Sequence, residues 1–253
     1  MHAAAELDET TVSGWRMTLR TAGRDIGVPV VAGIVVLTAL ATGVGLLIER
    51  EPAAGIGAFD HRTAEELVGR RTATIDALTG IGAHVTGTVA VAVLWIGALV
   101  AAAIVTRRWT ISLFLLAAIG GEKLTYLCTG LIVGRPRPPV EPIGEVFATS
   151  SFPSGHVGSA VTLYGGFAVA VLWYRRVHGH RTVGAVTKVV LGAGVAAITA
   201  GVAFSRVWRG HHYVSDVIGG AVLGVIWLVA AWWLVLRTAD ETTYPIGKGG
   251  SSR

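Results

Sequence analysis

Apolar residues in this chain are gathered into six long blocks and do not alternate with polar ones. The blocks cover residues 28–48, 85–105, 110–133, 156–173, 183–204 and 217–236. A helix rises about 1.5 Å per residue, so about 20 apolar residues cross the roughly 30 Å hydrocarbon layer of a bilayer. All six blocks are near that length. The fourth is the shortest, and Tyr174 and the Ser154-Gly155 turn extend it. The pattern predicts an all-α polytopic membrane protein, a bundle of six transmembrane helices. The links hold no soluble unit of appreciable size. Residues 1–253 therefore read as one integral membrane domain, with a polar N-terminal segment 1–27 and a tail 237–253. The longest link, residues 49–84, carries Arg62, Glu66 and Arg70 at helical spacing, with Leu67, Ile75 and Leu78 placed to meet lipid. It reads as a short surface helix or as an extracellular cap without chemistry.

Composition agrees with a membrane chain. Hydrophobic residues make up 52% and charged residues only 15% of the 253 residues, against roughly 25% charged in soluble domains. Mean hydropathy is +0.61. Ala and Gly within the blocks suit close helix packing in lipid. No short apolar run with a cleavage site precedes the first block, so that block reads as a retained helix. The net charge of +5 fits the Lys/Arg excess of cytoplasmic loops, and no basic patch interleaved with aromatics points to nucleic acid. The single cysteine, Cys128, lies inside an apolar block and reads as a small packed residue.

Orientation follows from the loop charges. With the N-terminus cytoplasmic, the inner segments hold 11 basic residues and the outer ones 8, four of them in polar clusters. The expectation is an inner (plasma) membrane protein with both termini cytoplasmic and the polar clusters outside.

Those clusters carry the chemistry, because arginine, histidine and carboxylate are costly beside lipid. Gly134-Arg135-Pro136-Arg137-Pro138 closes the third block. Its prolines stop the helix, and a stiff exit can hold an arginine fork for phosphate. Taken alone, such a pair is more often an interfacial anchor. Phe152-Pro153-Ser154-Gly155-His156 opens the fourth block, where an uncapped helix start seats an anion and Gly155 lets it approach the backbone. The bland role of Ser154 is the N-cap. The third cluster is Ser205-Arg206, His211-His212 and Asp216. His212 and Asp216 are spaced i,i+4, so the carboxylate can hold one ring nitrogen and leave the other free to attack. His211 lacks that partner.

These residues resemble the type 2 phosphatidic acid phosphatase (PAP2) superfamily of membrane lipid phosphatases, whose signature is Lys-x6-Arg-Pro, Pro-Ser-Gly-His and Ser-Arg-x5-His-x3-Asp. The second part is present as Pro153-Ser154-Gly155-His156, and the third as Ser205-Arg206, His212 and Asp216. The resemblance runs from the third block to the sixth. The first part departs, since Gly130 (or Cys128, counted from Arg135) stands at the lysine position. Lys123 lies seven residues before Gly130, about two helical turns deeper, and reads with Glu122 as an intramembrane polar contact.

The resemblance implies a PAP2-type six-helix fold and a metal-free, cofactor-free reaction on a lipid phosphate. His212 would form a phosphohistidine, Asp216 would fix its tautomer, and His156 would protonate the leaving oxygen and then activate water. Arg137, Arg206, Ser154 and Gly155 would hold the phosphate oxygens, with Arg135 compensating for the missing lysine. The expected substrates are an isoprenoid diphosphate carrier, phosphatidic acid or phosphatidylglycerol phosphate, the outward site favouring the first. The competing reading is a non-catalytic lipid-phosphate binding or transport protein, supported by Gly130. A vanadate-dependent haloperoxidase shares this kind of site but is mostly soluble, and a channel or proton relay would need more intramembrane carboxylates than Glu122.

Overall fold

The computed structural model describes residues 23–50, 54–85, 88–146, 149–177, 184–237 and 239. Most of the N-terminal segment, nearly all of the C-terminal tail and the expected start of the fifth block at Val183 lie outside them.

Among the described residues the chain forms eight helices. They are α1 (Gly23–Arg50), α2 (Gly55–Gly69), α3 (Ala73–Val85), α4 (Thr88–Thr106), α5 (Thr110–Val133), α6 (Gly155–Val177), α7 (Ala185–Trp208) and α8 (Val214–Leu236). Five of these, α1, α5, α6, α7 and α8, are long and apolar enough to cross a bilayer. The expected span 85–105 is divided, because Val85 ends α3 and a new helix starts at Thr88; its described apolar run, Val91–Thr106, is shorter than the other five.

Helices α5 and α6 form the centre, with 56% of their apolar window buried, whereas α7 and α1 bury only 6% and 11%. Val186, Val189 and Val190 of α7 and Val31, Val35 and Leu40 of α1 point outward, as lipid-facing helices require. Cys128 is exposed on α5 and is not packed as its apolar setting suggested. Phe114, Leu115 and Ile119 of α5, Val157 and Leu163 of α6, and Trp227 of α8 make the fully buried interior.

Buried polar groups in lipid must find partners within the chain. Trp227 Nε1 donates to Thr125 Oγ1 at 3.0 Å, and that hydroxyl donates to the Gly121 carbonyl at 2.9 Å. Ser159 and Thr162 bond the carbonyls one turn back on α6.

The α6–α8 crossing depends on missing side chains. A Cβ on Gly224 would stand 2.9 Å from the Gly158 carbonyl oxygen, and one on Gly220 would collide with the Ser154 carbonyl. This close approach brings the start of α6 against the start of α8, where Ser154 N donates to the Asp216 carbonyl at 2.9 Å. Gly134, at φ +60°, ends α5 in the left-handed conformation and turns the chain toward the site.

The segment 49–84 is neither a lone surface helix nor a detached cap. Beyond α1, its described residues form α2 and α3, bonded to the end of α7. Arg71 donates to the Trp208 and Glu141 carbonyls, Trp208 Nε1 to Asp76 Oδ1 at 2.8 Å, and Ser205 Oγ to the Thr79 carbonyl at 2.8 Å. Leu67 packs inward on Val157, Val207 and Val217, while Leu78 is exposed.

The crossing yields a stability prediction. Gly220→Ala should destabilise the protein by about 1–3 kcal/mol, read as a lower Tm in detergent. Gly192→Ala, on an α7 position with no neighbour within 4 Å, should leave Tm within error.

Candidate active site

Two helix ends do not coincide with the ends of the apolar blocks, and this shapes the site. Helix α7 runs through Trp208, so Arg206 sits in its last turn and not in a loop. Helix α8 starts at Val214, which leaves His212 outside it. The i,i+4 relation of His212 and Asp216 is therefore not that of two residues on one helix. Asp216 Oδ2 instead accepts from Tyr213 N at 2.8 Å, capping α8, and this turn carries His212 back over the carboxylate.

His212 is 3% exposed. Its Nδ1 lies 2.7 Å from the Ser151 carbonyl and 3.7 Å from Asp216 Oδ2. A carbonyl oxygen only accepts, so Nδ1 carries the proton and Nε2 keeps its lone pair. The tautomer expected from the carboxylate is thus fixed mainly by the Ser151 backbone, while Asp216 supplies charge. Burial pushes the His212 imidazole below its ordinary pKa, and Asp216 opposes the shift. The ring is therefore neutral at neutral pH.

His211 is fully engaged. Arg206 Nη1 donates to its Nδ1 at 3.1 Å, and its Nε2 donates to the Ile143 carbonyl at 3.1 Å. Burial and the neighbouring Arg206 charge push its pKa down to about 4, so it stays neutral and anchors Arg206. Of the two adjacent histidines, only His212 has a free ring nitrogen.

Around His212 are buried donors with nothing to donate to. Ser154 Oγ, Arg137 Nε, and Arg206 Nε and Nη2 have no partner among the described residues. Ser154 is 0% exposed and does not make the N-cap bond that is its bland role. The guanidinium of Arg137 is held by the His211 carbonyl at 2.5 Å and by Thr149 Oγ1 at 3.1 Å. The first intrahelical bond of α6 runs from Gly158 N to Ser154 O, so the N–H groups of Gly155, His156 and Val157 precede the ladder. His156, in that first turn, lies within electrostatic reach of Arg206, His212, Lys123 and His211. Buried unpaired donors cost about 1–3 kcal/mol each. A cluster of them with two arginines has the donors and the charge that suit an anion.

Gly155 packs for a different reason than an approaching anion. A Cβ there would stand 2.8 Å from the Tyr126 ring, so glycine admits the tyrosine.

Arg135 departs most from its expected role. It is 4% exposed, and its guanidinium is taken up by Asp216 Oδ1 at 2.6 Å, Asp60 Oδ2 at 2.9 Å and Ser215 Oγ at 2.8 Å. It also stacks 4.2 Å from the Tyr213 ring centre. Its guanidinium is thus committed to carboxylates within the protein.

Lys123 comes nearer than its two-turn offset from Gly130 implies. Its Nζ donates to the Gly155 carbonyl at 2.9 Å and lies 3.4 Å from Glu122. It is thus bonded beneath the helix start that carries Ser154 and His156. At Gly130 itself, a Cβ would meet only Ser150 Cβ at 3.5 Å and Phe152 O at 3.9 Å. Sequence reading missed Ser151, Asp60, Tyr126 and the anchoring role of His211. None belongs to a spaced motif, and Asp60 is 75 residues from Arg135. Among the described residues, no three His, Cys, Asp or Glu side chains are grouped to hold a metal.

Comparison with known proteins bears on the family and the fold. Over 115 residues the chain is 31% identical to the undecaprenyl-diphosphatase BcrC of Bacillus subtilis, covering 44% of this chain and 50% of that protein. It is 32% identical over 123 residues to phosphatidylglycerophosphatase B of the same organism, covering 47% and 55%. The matched stretches thus span about half the length of each relative. The fold matches a crystal structure described as a transmembrane PAP2-type phosphatidylglycerolphosphate phosphatase from Bacillus subtilis, with TM-score 0.65, 20% identity, and 80% of this chain and 97% of that one covered. The family model for the PAP2 superfamily matches residues 111–240, the stretch that carries Arg137, Ser154, His156, Arg206, His212 and Asp216. Matched over more than half of its length, this chain is a member of the PAP2 superfamily.

Proposed function

We propose that this protein is a membrane lipid phosphatase that works through a phosphohistidine. One observation carries the reading. His212 keeps Nε2 free, lies within electrostatic reach of Arg137, and is accompanied by buried donors of Ser154, Arg137 and Arg206 that have no partner among the described residues. A nucleophile beside a preformed seat for a tetrahedral anion is what phosphoryl transfer requires.

In the first step His212 Nε2 attacks phosphorus, and the bond from phosphorus to the leaving oxygen breaks. His156, as imidazolium, gives its proton to that oxygen. In the second step neutral His156 takes a proton from water, the water oxygen attacks the phosphohistidine, and phosphate leaves with the His212 ring restored. Arg137, Arg206, Ser154 and the first N–H groups of α6 hold the non-bridging oxygens throughout. Ser151 and Asp216 keep the Nδ1 proton in place and accept the positive charge that grows on the ring. The guanidinium groups supply the cationic charge, so the reaction as proposed needs no metal.

The site lies at the ends of apolar helices, so the substrate is a lipid phosphate whose chain stays in the bilayer. The names of the two relatives cover a polyprenyl diphosphate and a phosphatidylglycerol phosphate. We place the polyprenyl diphosphate first, on an outward-facing site in the inner membrane with both termini in the cytoplasm.

Three outcomes test this. Phosphate release from a panel of polyprenyl diphosphate, phosphatidic acid and phosphatidylglycerol phosphate in detergent should fall by more than about a thousandfold in His212→Ala. His156→Ala should instead accumulate acid-labile phosphoenzyme; wild-type turnover in His212→Ala overturns the assignment. Release should persist in EDTA and be inhibited by vanadate, and loss with chelator that one divalent metal restores would exclude the metal-free route. In a Cys128→Ser background, Glu145→Cys should react with an impermeant thiol reagent in intact cells and Gly184→Cys should not; the reverse would place the site in the cytoplasm.

A further inference from the structure

Helix α2 lies outside the residues matched by the family model, yet it sends one carboxylate into the centre of the network. Asp60 is 1% exposed. Its Oδ1 accepts from Ser215 N at 3.1 Å, and its Oδ2 accepts from Ser215 Oγ at 2.5 Å and from Arg135 Nη2 at 2.9 Å. Arg135 Nη1 reaches Asp216 Oδ1 at 2.6 Å, and Asp216 Oδ2 faces His212 Nδ1 at 3.7 Å. The contacts thus run in an unbroken line from Asp60 through Arg135 and Asp216 to His212.

Charge is the reason to read this line as more than packing. Arg135 alone would neutralise Asp216 and draw its charge away from the histidine. A second carboxylate on the same guanidinium leaves the buried trio with one net negative charge beside the ring. Glu49, 3.4 Å from Arg135 Nε but 36% exposed, adds a screened contribution at the edge. Burying two carboxylates on one cation is costly, and docking α2 on α8 does not require it, because a neutral acceptor would also cap Ser215.

We propose that Asp60 is a positioning residue that shares the Arg135 guanidinium with Asp216, offsets its positive charge and so preserves the negative charge that favours a cationic His212 ring. The proposal rests on the phosphohistidine reading, in which the ring becomes positive as the bond from Nε2 to phosphorus forms. Its signature is electrostatic. Other charged or titratable groups facing His212 are Arg137 after α5, His156 at the start of α6, and the His211–Arg206 pair at the end of α7. All of them stay unchanged when residue 60 is altered.

The test compares the wild-type protein with Asp60→Asn, which keeps an acceptor for Ser215 N and removes one charge. NMR of the histidine-labelled protein in detergent follows the His212 ring, assigned by its loss in His212→Gln. In Asp60→Asn the ring should titrate at lower pH. With the lipid substrate, kcat should fall by about tenfold while KM stays within about twofold. Glu49→Gln, at the exposed edge of the same guanidinium, should move the titration in the same direction by less. An unmoved His212 titration in both variants overturns the proposal, even where Tm or kcat drops, because that pattern belongs to a purely structural Asp60. If the wild-type protein releases no phosphate from any lipid, the phosphatase reading fails, while the NMR comparison still decides the role of Asp60.

Discussion

A guanidinium buried at the end of apolar helices needs an opposite charge from the protein or from a ligand, and at Arg135 the protein supplies it. Its partners come from three different helices: Asp60 on α2, Asp216 on α8 and, at the edge, Glu49 at the end of α1. Satisfying one cation therefore ties the outer helix pair to the last helix and the first. The tie also fixes Asp216, whose second oxygen caps α8 and faces His212. A requirement of burial thus sets the geometry of the proposed nucleophile.

The opposite condition holds a short distance away. Arg206, the half-buried Arg137 and Ser154 have buried donors left unpaired, and no carboxylate among the described residues pairs with them. His211 orients Arg206 while adding no charge of its own, because both of its ring nitrogens are bonded as a neutral imidazole uses them. The molecule divides its arginines by their neighbours: Arg135 is matched internally, whereas Arg137 and Arg206 keep capacity for an external anion. The division depends on the α6–α8 crossing at Gly220 and Gly224, which places Ser154 against Asp216.

The expectation for Arg135 and the observed geometry part at a specific point. From sequence, two arginines on one stiff turn, Arg135 and Arg137, are equivalent candidates for phosphate. Their side chains are two residues apart, and which one turns inward depends on what α2 and α8 present to each. Asp60 captures Arg135, and no spacing rule along the chain connects residues 60 and 135. Lys123 shows the same limit. Its offset from Gly130 measures distance along α5, whereas its contact with the Gly155 carbonyl is made across to α6.

Sequence by itself determined the membrane character and supplied the residues and the anionic ligand of the proposed site. Each of these rests on local composition or short spacing: apolar blocks long enough for a bilayer, and Ser154, His156, Arg206, His212 and Asp216 in fixed motifs. It also located five of the six expected spans, since long apolar runs have few alternatives in lipid. Only the tertiary structure decided which histidine keeps a free nitrogen, which arginine is matched internally, and that residues 49–84 form two helices bonded to the site. These outcomes turn on hydrogen bonds between residues 60 to 155 positions apart, such as Asp60 with Ser215 and Ser151 with His212. A buried donor takes whichever acceptor the packed helices bring within 3 Å or so, and that choice is made by packing, not by order along the chain.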